Sequence, residues 1–314
     1  MKQDIIYRKM GSGWLALLIL CSGFFATCTN APEQNRAQPS DTRKSGTILV
    51  SADESFKPII DSHIQVFESD NSAKIRVQYK PEAACLEDLL NDSVRMIIVA
   101  RPISPAEKQL VVDSFQVATT QMTIAYDAVA VIVHPESEFK KFTMEEIKQV
   151  LTGKFKKNLI PVFDGLRATS TISFIIDSVL RGDSLTKQAV AANTSEQVID
   201  YVSKTRDAIG FLGVSWVGNP EDPKQESFLT KVNMALLQSK DDTLDYIKPW
   251  QANIYAGRYP MIRRIVYILK ETHNGLGHGF ADFMLGERGQ LIFKRSYLLP
   301  ARMQFNIRRA AVRE

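Results

Sequence analysis

The sequence predicts an α/β protein in which strands and helices alternate around a largely parallel sheet. Short apolar runs rich in β-branched residues, such as MIIVA at 96–100, are separated by segments with helical spacing of apolar residues. Hydrophobic residues make up 45% of the 314 residues, which is enough to bury a sizeable core. This length suggests roughly two domains of about 100–200 residues each. No repeat of fixed period interrupts the pattern.

The first part of the chain predicts the order strand, helix, strand, helix, strand. The predicted strands are GTILV (46–50), KIRVQY (74–79) and MIIVA (96–100), and the predicted helices are SFKPIIDSHIQVFES (55–69) and EAACLEDLLND (82–92). A turn at ARPIS follows the third strand. Such an order implies parallel strands with helices on both faces, and ligands of such sheets bind outside the carboxyl ends of the strands.

A long strand at 123–135 precedes a second set of elements. In TMEEIKQVLTGKF, Thr143 and Glu146 form a capping box and Gly153 suits the helix end, so we expect a second domain to begin here. The later predicted elements are a strand at 159–164, a helix from Ser170 to Gly182, a capping-box helix at 194–204, strands at 208–216 and 263–270, and a final helix, turn and extended end at 279–302.

The N-terminal segment is typical of an exported protein. Basic residues precede the apolar run WLALLILCSGFFA, which is too short to span a membrane but suits a signal peptide over residues 1–27. The run ends in FFATCTN, which resembles the lipobox of bacterial lipoproteins and makes Cys28 the predicted lipidated residue. Cleavage before Cys21 and a plain signal peptide are the alternatives. Residues 28–46 are polar and lack apolar periodicity, so they predict a flexible tether.

Composition and motifs argue against several function classes. The net charge of +4 comes from interspersed basic and acidic residues, which gives no stripe of one sign for nucleic acid. GVSWVG (213–218) has Val217 where the second glycine of a nucleophile elbow is needed. No P-loop, C-x-x-C or H-E-x-x-H motif occurs, and His273 and His278 lie five apart in a glycine-rich loop. We therefore predict no catalytic residue, no metal and no cofactor, with Cys85 as a buried free thiol.

The stretch RATSTISFIIDSVLRG (167–182) carries more hydroxyl groups than a helix start needs. Its apolar residues follow helical spacing, and Thr169, Ser170, Thr171 and Ser173 crowd the beginning. A helix N-terminus presents unpaired N–H groups and a partial positive charge, which favours an anion. Simple capping is the alternative explanation.

Two further segments place polar groups at the same predicted edge. Ser51 and Ser55 in SADESF follow the first strand, and Arg101 follows the third. Taken singly, the serines suit a turn and a cap, and Arg101 suits a surface ion pair. Together with the hydroxyl-rich helix start, they predict a tetrahedral oxyanion held between two domains by hydroxyls, helix N-termini and an arginine.

These residues lie in stretches that resemble one family, the PstS-like phosphate-binding lipoproteins of ABC importers, of the type seen in Bacteroidetes-like bacteria. The matching stretches are ADESFKPII, VARPISPAE, IAYDAVAVIVHPES, MEEIKQVLTGKF, the Ser170-Thr171 helix start, AIGFLGVSW and FMLGERGQLIFKRSYLLPAR. The resemblance implies a type II periplasmic-binding fold, with two three-layer αβα domains joined by two hinge strands. The domains then comprise residues 47–125 plus 253–314, and 126–252, with IAYDA as the first crossing and NIYAGRYP (253–260) as the return.

The resemblance also implies site residues. The family's two hydroxyl-bearing loops match Ser51, Ser55 and Phe56, and Thr169, Ser170 and Thr171. The family has an aspartate where this chain has Ala100, and it has an arginine-containing loop where this chain has DGLRATST, in which Arg167 is the counterpart. Because monohydrogen phosphate carries a proton that a buried carboxylate accepts, another carboxylate must replace the aspartate. The candidates are Asp53, Glu54 and Asp164.

The implied function is the capture of inorganic phosphate by a monomeric, periplasm-facing, lipid-anchored protein that delivers it to ABC permease subunits. Binding of another oxyanion, such as sulfate, molybdate or a phosphorylated metabolite, is the first alternative. An interaction or assembly lipoprotein that kept the fold without ligand binding is the second, and the missing aspartate favours it. A hydrolase lacks any supporting pair of nucleophile and base.

Overall fold

A computed structural model of the protein describes residues 41–302, apart from 166–168 and 220. From Asp41 onward the chain forms one compact unit. The predicted signal peptide, Cys21, Cys28, most of the predicted tether and Arg167 lie outside the described residues. Among the residues that the structure describes, no helix is long and apolar enough to cross a membrane.

The first section of the sheet has the predicted parallel order. Its strands and helices are β1 (Ser45–Asp53), α1 (Lys57–Asp70), β2 (Ser72–Lys80), α2 (Glu82–Leu90), β3 (Met96–Val99) and α3 (Pro105–Phe115). Strand β1 lies between β2 and β3 and runs parallel to both. Helix α3 was not predicted. Val111 is its one buried residue, so it has no apolar stripe for sequence analysis to detect, and a capping box of Ser104 and Glu107 marks its start.

Two long antiparallel strands occupy the centre of the sheet. Strand β4 (Thr120–Val133) pairs with β12 (Ile262–Leu269) along its first part and with β8 (Ala208–Gly213) along its second. The strand order is β2-β1-β3-β12-β4-β8-β6-β7, where β6 is Ile160–Phe163 and β7 is Val190–Ala191. The α/β class is therefore confirmed, with one continuous mixed sheet. The return segment predicted at 253–260 overlaps a helix at its first three residues, and strand β12 follows it. The division into two domains stays a prediction.

The second section contains the remaining elements. They are β5 (Lys141–Phe142), α4 (Met144–Thr152), α5 (Ser170–Phe174), α6 (Ser195–Lys204), α7 (Pro223–Leu229), β9 (Asn233–Met234), β10 (Leu236–Gln238), β11 (Tyr246–Ile247) and α8 (Gln251–Tyr255). Helix α5 continues as a π-helix over Ile175–Leu180. The helical run that begins at Ser170 therefore ends close to Gly182, as predicted. The chain then closes with α9 (Leu276–Leu285), α10 (Glu287–Arg295) and β13 (Leu299–Pro300).

Helix starts follow local sequence chemistry. The predicted capping box of α4 is present, with Thr143 Oγ1 accepting from the Glu146 N–H at 3.1 Å and the Glu146 carboxylate accepting from the Thr143 N–H at 2.9 Å. Gly153 ends that helix at a φ of 73°, which glycine adopts without strain. The box predicted for α6 is incomplete, because Gln197 accepts from the Asn193 N–H rather than from that of Thr194.

Apolar side chains cover both faces of the first section. Phe56, Ile60 and Phe280 pack with residues of β1 on one face, whereas Cys85 and Leu89 pack with residues of β3 on the other. Cys85 is buried and free, as predicted. This three-layer arrangement fixes the carboxyl ends of the strands, where the polar residues converge.

The folded part begins earlier than Thr47. The buried Asp41 accepts hydrogen bonds from Arg95 Nη2 at 2.8 Å and from the Leu276 N–H at 2.7 Å. Residues 41–46 therefore do not belong to the predicted tether, because a carboxylate at the start of α9 holds them in place.

Candidate functional site

Three buried hydroxyl groups from distant parts of the chain meet at the carboxyl edge of the sheet. Ser55 Oγ follows β1, while Ser170 Oγ and Thr171 Oγ1 lie in the first turn of α5. Ser55 Oγ lies 3.3 Å from each of the other two oxygen atoms. The structure thus brings together hydroxyls from two segments that sequence analysis assigned to one site.

Thr169 is the residue that caps helix α5. Its Oγ1 accepts from the Ile172 N–H at 3.3 Å, which is the capping bond at the start of α5. Ser170 and Thr171 are not needed for that purpose, and both are buried. They are the surplus hydroxyls of the segment.

A buried arginine that sequence analysis missed joins these hydroxyls. Arg263 is 4% exposed, and its Nη1 donates to Ser170 Oγ at 3.0 Å and to Thr171 Oγ1 at 3.2 Å. Arg263 stands directly opposite Asp127 in the β12–β4 register, and its Nε donates to Asp127 Oδ2 at 2.9 Å. Burial raises the pKa of Asp127, although Arg263 opposes this effect. The available signal was one aspartate in the otherwise uncharged β4 and the Arg263-Arg264 pair in the otherwise uncharged β12.

Two residues shape the space around the guanidinium. A Cβ on Gly213 would lie 2.7 Å from Arg263 Nη2 and 3.0 Å from Asp127 Oδ2, so only glycine leaves room for this ion pair. The Phe56 ring lies beneath the guanidinium, with its centroid 5.0 Å from Cζ, within range of a cation–π contact. Phe56 therefore contacts the site through Arg263.

Two adjacent carboxylates at the end of β1 reach into the second section. Asp53 accepts from the Ser170 N–H at 3.2 Å and from Ser170 Oγ at 2.8 Å, as well as from the Ser55 N–H at 3.0 Å. Glu54 accepts from the Ser195 N–H at 3.3 Å and from Ser195 Oγ at 2.9 Å. Burial, together with the neighbouring charge of Asp164, raises the pKa of Glu54 to about 7.

Asp164 follows β6 and differs from the other two candidate carboxylates. Its Oδ2 accepts from Ser55 Oγ at 3.2 Å, whereas its buried Oδ1 has no hydrogen-bond partner. Burial, together with the charge of Asp53, raises the pKa of Asp164 to about 6. One oxygen atom of this carboxylate is available to a ligand.

Other predicted residues do not join the cluster. Ser51 donates to Asp88 on α2. The guanidinium of Arg101 forms a bidentate pair with Glu107, at 2.7 and 2.9 Å, and so is already neutralised. Arg167 lies outside the described residues. Arg263 is therefore the described arginine that contacts the cluster hydroxyls.

Glu82 is a further buried carboxylate that sequence analysis did not single out. It begins α2, and its Oε1 accepts from the N–H groups of Ala100 and Arg101 at 2.8 and 3.2 Å. Burial and the charge of Asp53 raise its pKa to about 6. A carboxylate thus lies against the backbone of Ala100, the position at which the family that this sequence resembles has an aspartate.

The site has unused hydrogen-bonding capacity. Among the described residues, four buried side-chain polar atoms lack a partner, and three of them are Asp127 Oδ1, Asp164 Oδ1 and Arg263 Nη2. Nη2 lies 2.8 Å from Asp127 Oδ2 but without hydrogen-bond geometry. A cavity of about 290 Å³ lined by Asp53, Glu54 and Asp164 adjoins the cluster. Because buried polar groups are rarely left unpaired, this location is suited to a polar ligand.

The fold and the candidate site are those of a sheet that brings hydroxyls and a buried guanidinium together at the carboxyl ends of its strands. The family model described as the PBP superfamily domain matches residues 37–288, so the chain belongs to the PBP superfamily.

Relatives and solved structures agree with this assignment. The chain is 24% identical over 295 residues to the phosphate-binding protein PstS of Bacillus subtilis, covering 87% of this chain and 89% of that one. It is 22% identical to PstS of Pseudomonas aeruginosa, covering 74% of this chain and 76% of that one. A phosphate-bound substrate-binding protein structure from Clostridium perfringens superimposes with a TM-score of 0.68 at 20% identity, covering 82% and 100% of the two chains. A phosphate transport receptor from Vibrio cholerae gives a TM-score of 0.60 at 16% identity, covering 81% and 100%.

Proposed function

We propose that this protein binds inorganic phosphate at the Ser55, Ser170, Thr171 and Arg263 groups for delivery to an ABC importer. The single observation that carries the proposal is the buried guanidinium in contact with two of three converging hydroxyls. Hydroxyls and a guanidinium are the donors that a tetrahedral oxyanion accepts from. The names of the relatives, which are phosphate-binding proteins, support phosphate as the ligand.

Binding requires the two segments to part. Ser55 Oγ touches Ser170 Oγ and Thr171 Oγ1 at 3.3 Å, a separation that leaves no room for a phosphate between them. Ser55 follows the first section of the sheet, and the other two belong to the second. A hinge motion about β4 and β12 separates these groups and closes them on the anion, since both half-sites contact the ligand only when closed.

Asp164 is the carboxylate that accepts the proton of monohydrogen phosphate. Both oxygen atoms of Asp53 and of Glu54 already accept hydrogen bonds, whereas Asp164 Oδ1 accepts none. Sulfate has no proton to offer at neutral pH, so its negative oxygen atoms meet an unpaired carboxylate. The site therefore favours phosphate over sulfate.

Thermal unfolding with phosphate and with sulfate tests the proposal. Phosphate at about 100 times its dissociation constant stabilises by about 2.7 kcal/mol. We expect the combined Ser170→Ala and Thr171→Ala changes to remove this shift and to cost the unliganded protein about 1–3 kcal/mol, because Arg263 Nη1 loses both hydroxyl acceptors. Thr143→Ala is the matched control, because it removes a cap in α4 and should cost about 1 kcal/mol without changing the shift.

The outcomes separate the alternatives. No shift with either anion overturns oxyanion binding and supports an interaction or assembly protein, which the direct carboxylate contacts of Asp53 and Glu54 also favour. A shift with sulfate alone overturns the phosphate assignment. In Asp164→Asn, a gain of sulfate binding with weakened phosphate binding supports the proton-acceptor role, because an amide can donate to sulfate.

The cellular setting is part of the same proposal. We infer a non-enzymatic, monomeric protein without a cofactor, exported by the signal peptide and anchored through lipid on Cys28 at the periplasmic side of a membrane. The N-terminal sequence supports this inference. Loss of metabolic palmitate labelling in Cys28→Ser, but not in Cys21→Ser, is the expected result, and the reverse pattern contradicts it.

A further inference from the structure

The two carboxylates at the end of β1 occupy donors that an anion ligand needs. The Ser170 N–H and Oγ both donate to Asp53, at 3.2 and 2.8 Å, where the helical run Ser170–Leu180 begins. The Ser195 N–H and Oγ both donate to Glu54, at 3.3 and 2.9 Å, at the start of α6. Each helix start therefore donates to a carboxyl group from the opposite section of the sheet.

A bound phosphate competes for the same groups. A backbone N–H has one hydrogen atom, so the Ser170 N–H does not donate fully to both Asp53 and a ligand oxygen. Asp53 and Asp164 also repel an incoming dianion, and Arg263 is the buried cation in contact with the hydroxyls. Asp53 and Glu54 thus link the two sections of the sheet, as a bound phosphate would also do.

We propose that Asp53 serves as an internal anion and Glu54 as an internal hydrogen-bond acceptor, that together they hold the protein closed without ligand, and that phosphate binds only by displacing the Asp53 carboxylate. This regulation rests on the proposed function. It makes the protein a weak phosphate binder whose affinity is set by its own carboxylates. Asp53 has the larger effect on phosphate affinity, because it contacts Ser170 within the hydroxyl cluster, whereas Glu54 contacts Ser195 beside that cluster.

Calorimetric titration of inorganic phosphate into the purified protein and its variants tests the competition. We expect Asp53→Asn to bind phosphate at least tenfold more tightly than the unchanged protein, and Glu54→Gln about threefold more tightly. Asp200→Asn removes the same charge from the exposed face of α6, where Asp200 pairs with Lys204, and should leave the dissociation constant unchanged.

Small-angle scattering provides a second measurement that does not depend on phosphate affinity. The unchanged protein should keep the same radius of gyration with and without phosphate. The Asp53→Asn, Glu54→Gln double variant should expand without phosphate and contract when phosphate is added. Circular dichroism melting confirms that each variant is folded before either measurement is interpreted.

The results distinguish this inference from the proposed function. Equal or weaker phosphate binding by folded Asp53→Asn, while the unchanged protein binds, overturns the internal-anion role and leaves the proposed function intact. Absence of binding in the unchanged protein and in both variants overturns the proposed function and the competition together. Tighter binding by Asp53→Asn with an unchanged Asp200→Asn control supports both.

Discussion

Two charge clusters in this protein, one buried and one partly exposed, differ in how completely their polar atoms are used. The Arg263 cluster comprises Arg263, Asp127, Ser55, Ser170 and Thr171, and the Arg95 cluster comprises Arg95, Asp41, Glu271 and His273. In the Arg95 cluster, Nη2 lies 2.8 Å from Asp41 and Nη1 lies 3.0 Å from Glu271. None of the unpartnered buried atoms of the described residues belongs to it, whereas two belong to the Arg263 cluster.

This difference distinguishes a structural cluster from the proposed binding site. Asp41, Glu271 and His273 are close enough together to hold a metal ion, but Arg95 already neutralises the two carboxylates. The N–H groups at the start of α9 donate to both carboxylates as well. The cluster therefore fastens the beginning of the folded chain to α9. Unused donors and acceptors beside a cavity support the Arg263 cluster as the proposed binding site.

Removal of each arginine should give the largest contrast. Arg263→Met leaves Asp127 buried without its ion-pair partner and should cost about 3–5 kcal/mol, while also abolishing phosphate binding. Arg95→Met should cost about 1–3 kcal/mol, because N–H groups and His273 still contact the carboxylates, and it should leave phosphate binding intact. Chemical denaturation and calorimetry measure both quantities.

The double change Arg263→Met with Asp127→Leu serves as the control for stability. It should recover most of the lost free energy of unfolding, because no unpaired buried charge remains, but it should not recover phosphate binding. Phosphate binding by the double variant would contradict the assignment of Arg263 to the ligand.

A smaller change tests the geometry of the Arg263 cluster without removing its charges. Gly213→Ala places a methyl group about 2.7 Å from Arg263 Nη2, so the guanidinium must shift. We expect phosphate affinity to fall about tenfold or more at a cost of about 1–3 kcal/mol in stability. Gly257→Ala adds a methyl group where no atom lies within 4 Å, and although its φ of 68° makes it similarly destabilising, it should not alter binding. Equal losses of phosphate affinity in Gly213→Ala and Gly257→Ala would contradict the role of Gly213 in positioning the Arg263 guanidinium.

Glu54, which lies beside the Arg263 cluster, and Asp41 of the Arg95 cluster should respond to pH in opposite directions. The pKa of Glu54 is raised to about 7 from 4.5, so its contribution to stability is full below pH 4.5 and is lost as the pH rises through 7. Asp41 behaves oppositely. Its burial acts to raise its pKa, but hydrogen bonds from Arg95, the Leu276 N–H and His273 lower it to about 2 from 3.8. Its contribution is therefore present above pH 3.8 and is lost as the pH falls toward 2.

As the pH is lowered, the melting temperature should rise by a few degrees from pH 8 to pH 5 and should fall again below pH 4. Scanning calorimetry across this range measures both parts of the pH profile, the neutral limb from pH 8 to pH 5 and the acidic limb below pH 4. Glu54→Gln should flatten the neutral limb, and Asp41→Asn should flatten the acidic limb. A neutral limb unaffected by Glu54→Gln would show that Glu54 is not the group that titrates there.

Sequence analysis located the elements of the site more successfully than its chemistry. The strand-to-helix turns containing Ser55, Ser170 and Thr171 could be predicted, because apolar periodicity and hydroxyl-rich helix starts are local signals. Arg263 could not, since its role depends on the β12–β4 register, which places it opposite Asp127. Arg101 follows the predicted strand, but its pairing with Glu107 depends on helix α3, which has no apolar stripe.

A crystal structure of the protein grown with phosphate would show whether Arg263 and the hydroxyls hold the anion. We expect one anion about 3 Å from Arg263 Nη2 and from the hydroxyls of Ser170 and Thr171, with the Asp53 carboxylate displaced from the Ser170 N–H. An anion bound instead at Arg101, or Ser170 still bonded to Asp53 with no anion beside Arg263 at saturating phosphate, would contradict this expectation.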